Sequence, residues 1–167
     1  MKDGPVPARV CAVSNSSMPA GAGSLQDGPP PGLSALAWAA FRSLAHAGPL
    51  AGGTHAAGPD VAGRVVDAGC LSGEAGREGV GTRVRFELMV RDGRVVAARF
   101  RAYGCPHTLA ACEWLAGRLE GRRVEDISDE NPMDWADNLE IPAYKLGRLL
   151  LIEDALRTAL RLPPKSA

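Results

Sequence analysis

Two adjacent segments in which apolar and polar residues alternate constrain this sequence most. Residues 84–90 place Val, Phe, Leu and Val at every second position, and residues 96–102 repeat the pattern with Val, Ala, Phe and Ala. A period of two is typical of β-strands with one buried face. Asp92-Gly93 lies between the segments, which predicts an antiparallel hairpin. Other parts of the chain must then cover its apolar face.

The register of this hairpin follows from the requirement that the buried face be apolar. A two-residue loop at Asp92-Gly93 would place Phe86 opposite Arg99, mixing apolar and charged residues on one face. A three-residue loop over residues 91–93, with Gly93 in the left-handed conformation, removes this conflict. The predicted pairs are Leu88 with Val96, Phe86 with Ala98 and Val84 with Phe100.

Three further segments have the spacing of amphipathic helices. Apolar residues recur at intervals of three and four over residues 33–44, 109–119 and 143–160. Together with the hairpin, they predict an α+β domain, a small antiparallel sheet with helices packed on one face. A short strand is expected at residues 64–67, followed by an irregular Gly-rich passage over 69–81. The predicted apolar stripe of the last helix comprises Leu146, Leu149, Leu150, Leu156 and Leu160.

Composition indicates a single domain with tails. Residues 1–32 are rich in Pro, Gly and Ser and are predicted to be a disordered tail, residues 33–162 one domain, and residues 163–167 a second tail. The 19 basic and 19 acidic residues balance, so no net field favours nucleic acid or an anionic membrane. No run of about 18 apolar residues predicts a membrane span. We expect a cytoplasmic protein.

The four cysteines, Cys11, Cys70, Cys105 and Cys112, have no C-x-x-C spacing. In a reducing compartment they are predicted to be thiols or ligands, not disulfides. Cys11 lies in the N-terminal tail and is interpreted as an incidental exposed thiol.

Cys105 is the leading candidate for chemistry. The hairpin leads through Gly104 to this cysteine, and Pro106 suits the first position of a helix. The unpaired N–H groups and macrodipole of a helix N-terminus stabilise a thiolate. We therefore predict that Cys105 is the most nucleophilic and most metal-competent sulfur. The alternative is a half-buried structural cysteine.

Other candidates lie close by in sequence. His107 is a possible second ligand or support for the thiolate, although neighbouring residues in the first turn of a helix point in different directions. Cys112 falls in the apolar stripe, roughly 10 Å further along the helix axis, and is predicted to be a core residue. His46 and His55 are expected to be solvated polar residues. No catalytic motif accompanies Cys105, since only His107 is near it as a base.

The residues around Cys105 resemble the IscU/NifU N-terminal family, the scaffolds of iron–sulfur cluster assembly. Residues 98–105, Ala-Arg-Phe-Arg-Ala-Tyr-Gly-Cys, are similar to its central motif. Residues 141–145, Ile-Pro-Ala-Tyr-Lys, resemble its Leu-Pro-Pro-Val-Lys segment, and residues 153–156 resemble its terminal Glu-Asp-Ala helix. The similarity covers residues 33–160 and implies the fold predicted above.

The resemblance also implies a ligand set that this chain lacks in part. Family members place three cysteines, an Asp and often a His around the cluster, and only the middle cysteine is present, as Cys105. Val80 and Thr82 replace the Cys and Asp of a Cys-Gly-Asp motif, and Gly147-Arg148 replaces a His-Cys pair. Such clusters normally take four ligands, so one thiolate does not hold a cluster in the usual way.

Two further residues are expected to affect metal binding at Cys105, one by replacing a missing ligand and the other by adding positive charge. Cys70 is a candidate replacement for the first cysteine, although it lies ten residues before Val80. Arg148 is expected to bring a cation near Cys105, which favours a thiolate and opposes a divalent metal.

The family resemblance implies a non-enzymatic role in cluster assembly. Our first hypothesis is a divergent scaffold-like protein that binds iron or an iron–sulfur cluster, or accepts sulfur, through Cys105, with His107 and Cys70 as helpers and zinc as another possible metal. The implied partners are a cysteine desulfurase and other assembly proteins. Monomer and dimer both remain open, because two copies can share a cluster between two Cys105 thiolates. The alternative is an adaptor that binds this machinery without carrying a cluster.

Overall fold

The computed structural model describes residues 28–50 and 68–162 and contains a three-stranded antiparallel sheet in the order β1-β2-β3. Helices α2 and α4 pack on one face of it, so the predicted α+β class is confirmed. Short 3₁₀ turns occupy Glu78–Val80, Glu125–Asp129 and Ala143–Lys145. The helices and strands are α1 (Ala35–Ser43), β1 (Ala68–Arg77), β2 (Thr82–Arg91), β3 (Arg94–Tyr103), α2 (Pro106–Leu119), α3 (Pro132–Leu139) and α4 (Leu146–Leu160).

Several sequence predictions fall outside this part of the chain. The strand at residues 64–67, Cys11, His55, the C-terminal tail and most of the N-terminal tail lie outside the described residues.

The β2–β3 hairpin closes with a two-residue loop, so the predicted three-residue loop is wrong. Arg91 faces Arg94 across Asp92-Gly93. Asp92 and Gly93 have φ angles of 51° and 68°, the left-handed values required by a type I′ hairpin turn.

A β-bulge next to this loop restores an apolar inner face. Val90 pairs with Val95 and Met89 with Ala97, so Val96 is an extra residue on β3. Val95 is buried, whereas Val96, predicted to face inward, is 48% exposed. The prediction failed because it assumed an unbroken alternation along β3. Beyond the bulge the inward-facing pairs are Leu88 with Ala98, Phe86 with Phe100 and Val84 with Ala102, and all of these residues are buried except the partly buried Ala102.

The Gly-rich passage predicted to be irregular instead forms most of strand β1. Gly73 pairs with Phe86 in the middle of the sheet. A Cβ at Gly73 would lie 2.0 Å from the Ala159 nitrogen and 2.4 Å from the Ala155 oxygen. Glycine weakens most strands, but in a strand it also marks a place where another backbone approaches closely. Here that backbone is α4, which lies directly on β1.

A buried carboxylate on α2 holds the loop that follows α1. Glu113 is 5% exposed and accepts the backbone N–H groups of Ala45 and His46, both at 3.0 Å. The His46 ring lies 2.9 Å from the same carboxylate, so the prediction of a solvated histidine is wrong. These contacts keep the loop beside β3, where the Gly48 N–H donates to the Phe100 carbonyl at 2.8 Å.

The two helices predicted after the sheet, α2 and α4, follow the predicted pattern with one exception, whereas α3 was not predicted. Cys112 is fully buried on α2, as predicted, whereas Leu150 on α4 is 52% exposed instead of packed in the core. The α4 side chains that enter the core include Leu149, Ile152 and Leu156. Within the described ranges, no helix combines the length and the apolar character needed to cross a membrane.

Replacing Gly73 with alanine should destabilise the domain by about 2 kcal/mol or more, because the added methyl group would meet the α4 backbone, which cannot move aside without repacking the helix. The measurement is the free energy of unfolding from chemical denaturation. Gly79→Ala is the matched control, since nothing lies within 4 Å of a Cβ added there. Equal stabilities of the two variants would contradict the close approach.

Candidate functional site

The junction between β3 and α2 places Cys105 at the N-cap of the helix, as predicted. β3 ends at Tyr103, α2 begins at Pro106, and Cys105 between them has φ −80° and ψ 167°. A Cβ on Gly104 would lie 2.9 Å from the Thr108 Cβ. Glycine at this position therefore lets the first turn of α2 fold closely against the end of the strand.

The Cys105 thiol is half-buried, and its surroundings favour the thiolate. Burial alone would raise the pKa, but the Thr108 hydroxyl, 3.5 Å from the sulfur, and the Thr108 backbone N–H outweigh it. The Lys145 charge and the His107 backbone N–H act in the same direction, and the pKa of Cys105 is lowered. These N–H groups favour the charge without forming a full capping hydrogen bond.

The other two described cysteines are less reactive than Cys105. Burial raises the pKa of Cys112, which is inaccessible in the core. Burial and the neighbouring Glu87 carboxylate raise the pKa of Cys70. Because the thiolate is both the nucleophile and the metal ligand, Cys105 is the most reactive sulfur in the described part of the chain.

His107 contacts the chain before α1. Its Nε2 lies 2.8 Å from the Gly32 carbonyl oxygen. A carbonyl only accepts, so Nε2 carries the proton in this contact and Nδ1 is the nitrogen left for a metal. The proposed role of His107 as a ligand stays a prediction, whereas its contact with Gly32 brings the start of the domain to the Cys105 junction.

The sheet register does not bring Cys70 to Cys105. Cys70 pairs with Met89 near the hairpin end of the sheet, whereas Gly76 aligns with the end that leads to Cys105. The six residues from Cys70 to Gly76 span roughly 20 Å of strand. Cys70 therefore does not share a metal with Cys105 within one chain.

Arg148 ties α4 to the turn between β1 and β2. Its Nη1 donates to the Gly81 carbonyl at 3.1 Å and to the Thr82 hydroxyl at 2.5 Å. Thr82 is 2% exposed and donates its own hydroxyl to Gly81 at 2.7 Å. We call these hydrogen bonds the Arg148 clasp. The clasp joins two positions at which the family resemblance implies ligands.

Lys145 is a functional side chain that the sequence prediction missed. The prediction assigned the cation near Cys105 to Arg148, but the charge that lowers the pKa of Cys105 belongs to Lys145, and Arg148 engages the turn. The signal was present in the sequence, because Lys145 ends the Ile-Pro-Ala-Tyr-Lys segment.

The residues present do not fit a complete iron–sulfur ligand set. Among residues 28–50 and 68–162, no group of three or more His, Cys, Asp or Glu side chains is arranged to hold a metal ion. A cluster normally takes four ligands, and this site offers one thiolate. The chemistry that the arrangement supports best is nucleophilic attack by Cys105.

Replacing Thr108 with valine should slow alkylation of Cys105 at neutral pH severalfold, because the hydroxyl that stabilises the thiolate is lost. The rate with iodoacetamide as a function of pH, followed at each cysteine by peptide mass spectrometry, measures the effect. In the wild type, Cys105 should reach its rate plateau at lower pH than Cys70. Thr158→Val, which removes an exposed hydroxyl on α4, is the control. An unchanged pH profile of Cys105 in Thr108→Val would refute the assignment.

Comparison with known proteins agrees with this geometry. The family model described as NifU-like N terminal domain matches residues 54–163, more than half of the chain, and leaves α1 outside the match. The iron–sulfur cluster assembly scaffold protein IscU of Escherichia coli K12 is 29% identical over 90 residues, which are 53% of this chain and 70% of that protein. The Drosophila melanogaster protein named iron–sulfur cluster assembly enzyme IscU is 27% identical over 90 residues, 53% of this chain and 58% of its own.

A solved structure from Fervidobacterium islandicum AW-1 covers 54% of this chain and 79% of its own, at 15% identity and a TM-score of 0.45. That likeness adds nothing to the assignment, which rests on the family model and on the sequence relatives. The chain belongs to the NifU-like N-terminal domain family and is a divergent, scaffold-like member of it.

Proposed function

We propose that this chain acts in iron–sulfur cluster assembly by accepting sulfur on Cys105, without enclosing a cluster in its own ligands. One observation carries the proposal: in the part of the chain that the structure describes, Cys105 is the cysteine whose surroundings lower its pKa. Thr108 and Lys145 favour its thiolate, while the Arg148 clasp occupies two positions that would otherwise provide ligands.

The proposed step is sulfur transfer from a persulfide. The Cys105 thiolate attacks the outer sulfur of the donor persulfide, the donor's S–S bond breaks, and the donor leaves as a thiolate. A new S–S bond makes Cys105 a persulfide. The exchange is balanced and needs no external oxidant, as in thiol–disulfide exchange. A cysteine desulfurase is the proposed donor, in a reducing compartment such as the cytoplasm.

In this proposal, iron, an iron–sulfur cluster or zinc is held only with help from outside the chain. Cys105 supplies one ligand, and His107 supplies Nδ1 if its ring turns toward the metal. The remaining ligands would come from small thiols or from the Cys105 of a second copy. The protein in this proposal passes sulfur on and is not itself an enzyme.

A second candidate function is an adaptor that binds the assembly machinery without chemistry at Cys105. The Arg148 clasp favours it, since a permanently tied turn preserves the shape of the domain while removing its ligands. The two candidates differ in whether sulfur reaches Cys105.

Sulfur transfer can be measured directly. The reduced chain is incubated anaerobically with a cysteine desulfurase and radiolabelled cysteine, and protein-bound label is counted before and after reduction. Wild type should carry reductant-releasable label, Cys105→Ser none, and Cys70→Ser as much as wild type. Co-elution with the desulfurase without label on wild type would favour the adaptor and overturn sulfur acceptance.

Restoring the missing ligands should restore cluster binding. Reconstitution with ferrous iron and sulfide should give little visible absorbance with wild type and much more with the combined variant Val80→Cys, Thr82→Asp and Arg148→Cys, because the family resemblance implies ligands at these positions. Iron and sulfide analysis quantifies the difference. A Cys105-dependent cluster on monomeric wild-type protein, formed with no small thiol in the buffer, would contradict our proposal, because the chain would then supply the ligands itself.

A further inference from the structure

Two cations at the Cys105 end of the domain have no carboxylate partner among the described residues. Arg148 donates to neutral oxygens of Gly81 and Thr82. The Lys145 ammonium lies 5.2 Å from the centroid of the Tyr144 ring. Neither charge is offset by a carboxylate among these residues, and the Cys105 thiolate is the anion whose formation Lys145 favours.

The arginines on the outer face of the sheet provide a contrast. Arg83 binds Glu74 at 2.9 Å, and Arg85 and Arg101 both bind Glu87, at 3.1 and 2.5 Å. Glu78 also binds Arg83, at 3.1 Å, so three carboxylates balance these three arginines.

Other described arginines also lack a carboxylate partner: Arg94 donates to the neutral Gly121 carbonyl, and Arg118 lies over the Trp114 ring. What distinguishes Lys145 and Arg148 is therefore their position at the Cys105 end of the domain.

The sheet register places the Thr82 end of the Arg148 clasp next to the residue before Cys105. Arg83 pairs with Tyr103, so Thr82, which Arg148 binds, continues beside Gly104 at the spacing of neighbouring strands, about 4.8 Å. Lys145 is close enough to Cys105 to influence its charge. The thiol thus lies between the end of β2, where the Arg148 guanidinium is held, and the start of α4.

We infer that Lys145 and Arg148 form an anion-binding site beside Cys105, and that this site favours anionic over neutral reactants for the thiol. Half-buried cations without counterions attract an anion more strongly than fully solvated ones, because water screens them less. The same charges repel divalent metal ions. The ligand class includes persulfides that carry a carboxylate, in which the charged group binds the cations and the outer sulfur stays protonated and open to attack; that identification rests on the proposed function.

The inference is tested by alkylating Cys105 with an anionic and a neutral reagent. Iodoacetate and iodoacetamide react alike: the thiolate attacks the CH₂ carbon, iodide leaves and a thioether forms. The ratio of their rate constants cancels the thiolate fraction and reports only the preference for negative charge. Cys70, also half-buried but beside Glu87, is the internal control in the same full-length chain.

At low salt the iodoacetate-to-iodoacetamide ratio at Cys105 should be about tenfold higher than at Cys70. It should fall toward the Cys70 value at about 1 M salt, where the screening length is about 3 Å. Lys145→Gln should lower it about threefold and Arg148→Gln by less, whereas Lys145→Arg should preserve it. Equal ratios at the two cysteines, or no loss in either Gln variant, would overturn the inference.

Two features of the assay separate a failure of this inference from unfolding of a variant and from a failure of the proposed function. Cys112 is fully buried, so its alkylation reports unfolding, and a variant in which it stays unreactive has kept its fold. The assay involves neither a desulfurase nor sulfur. A charge preference without sulfur transfer would refute the proposed function alone, and sulfur transfer without a charge preference would refute this inference alone.

Discussion

The contact between Gly73 and the α4 backbone determines how this small domain is assembled. Because the strand has no side chain there, α4 lies directly on β1, and its first turn is placed at the end of the sheet where β3 passes into α2. Lys145 and Arg148 reach the Cys105 end for that reason. A bulkier residue at position 73 would push the helix away and separate the cations from the thiol and the turn.

The family resemblance implies several cluster ligands, whereas the described site offers one thiolate. The fold retains the central cysteine at a helix N-terminus, with a hydroxyl and a lysine that favour its thiolate. At Thr82 and Arg148, where the family resemblance implies ligands, a guanidinium instead donates hydrogen bonds to neutral oxygens. The clasp thereby ties the turn between β1 and β2 to α4.

The sequence predicted those features that depend on local periodicity or on a single helix end. The helix after Cys105, the burial of Cys112 and the α+β class all followed from such patterns. The hairpin register did not, because the bulge at Val96 breaks the alternation without any glycine to mark it.

The strand through Gly73 was missed because its glycine serves a contact with α4, far away in sequence. His46 was missed for the same reason, since its partner Glu113 lies on another helix, and Lys145 became relevant only once α4 was placed beside Cys105.

The contact of His107 with the Gly32 carbonyl has a practical consequence for anyone who handles this protein. It brings the start of the domain to the reactive thiol, whereas α4 leads away from that end over its 15 residues, about 22 Å of helix. An affinity tag or fused protein attached before residue 28 would therefore join the domain beside Cys105. One attached after Leu162 would join it near the far end of α4 and leave the thiol open to reagents and partners.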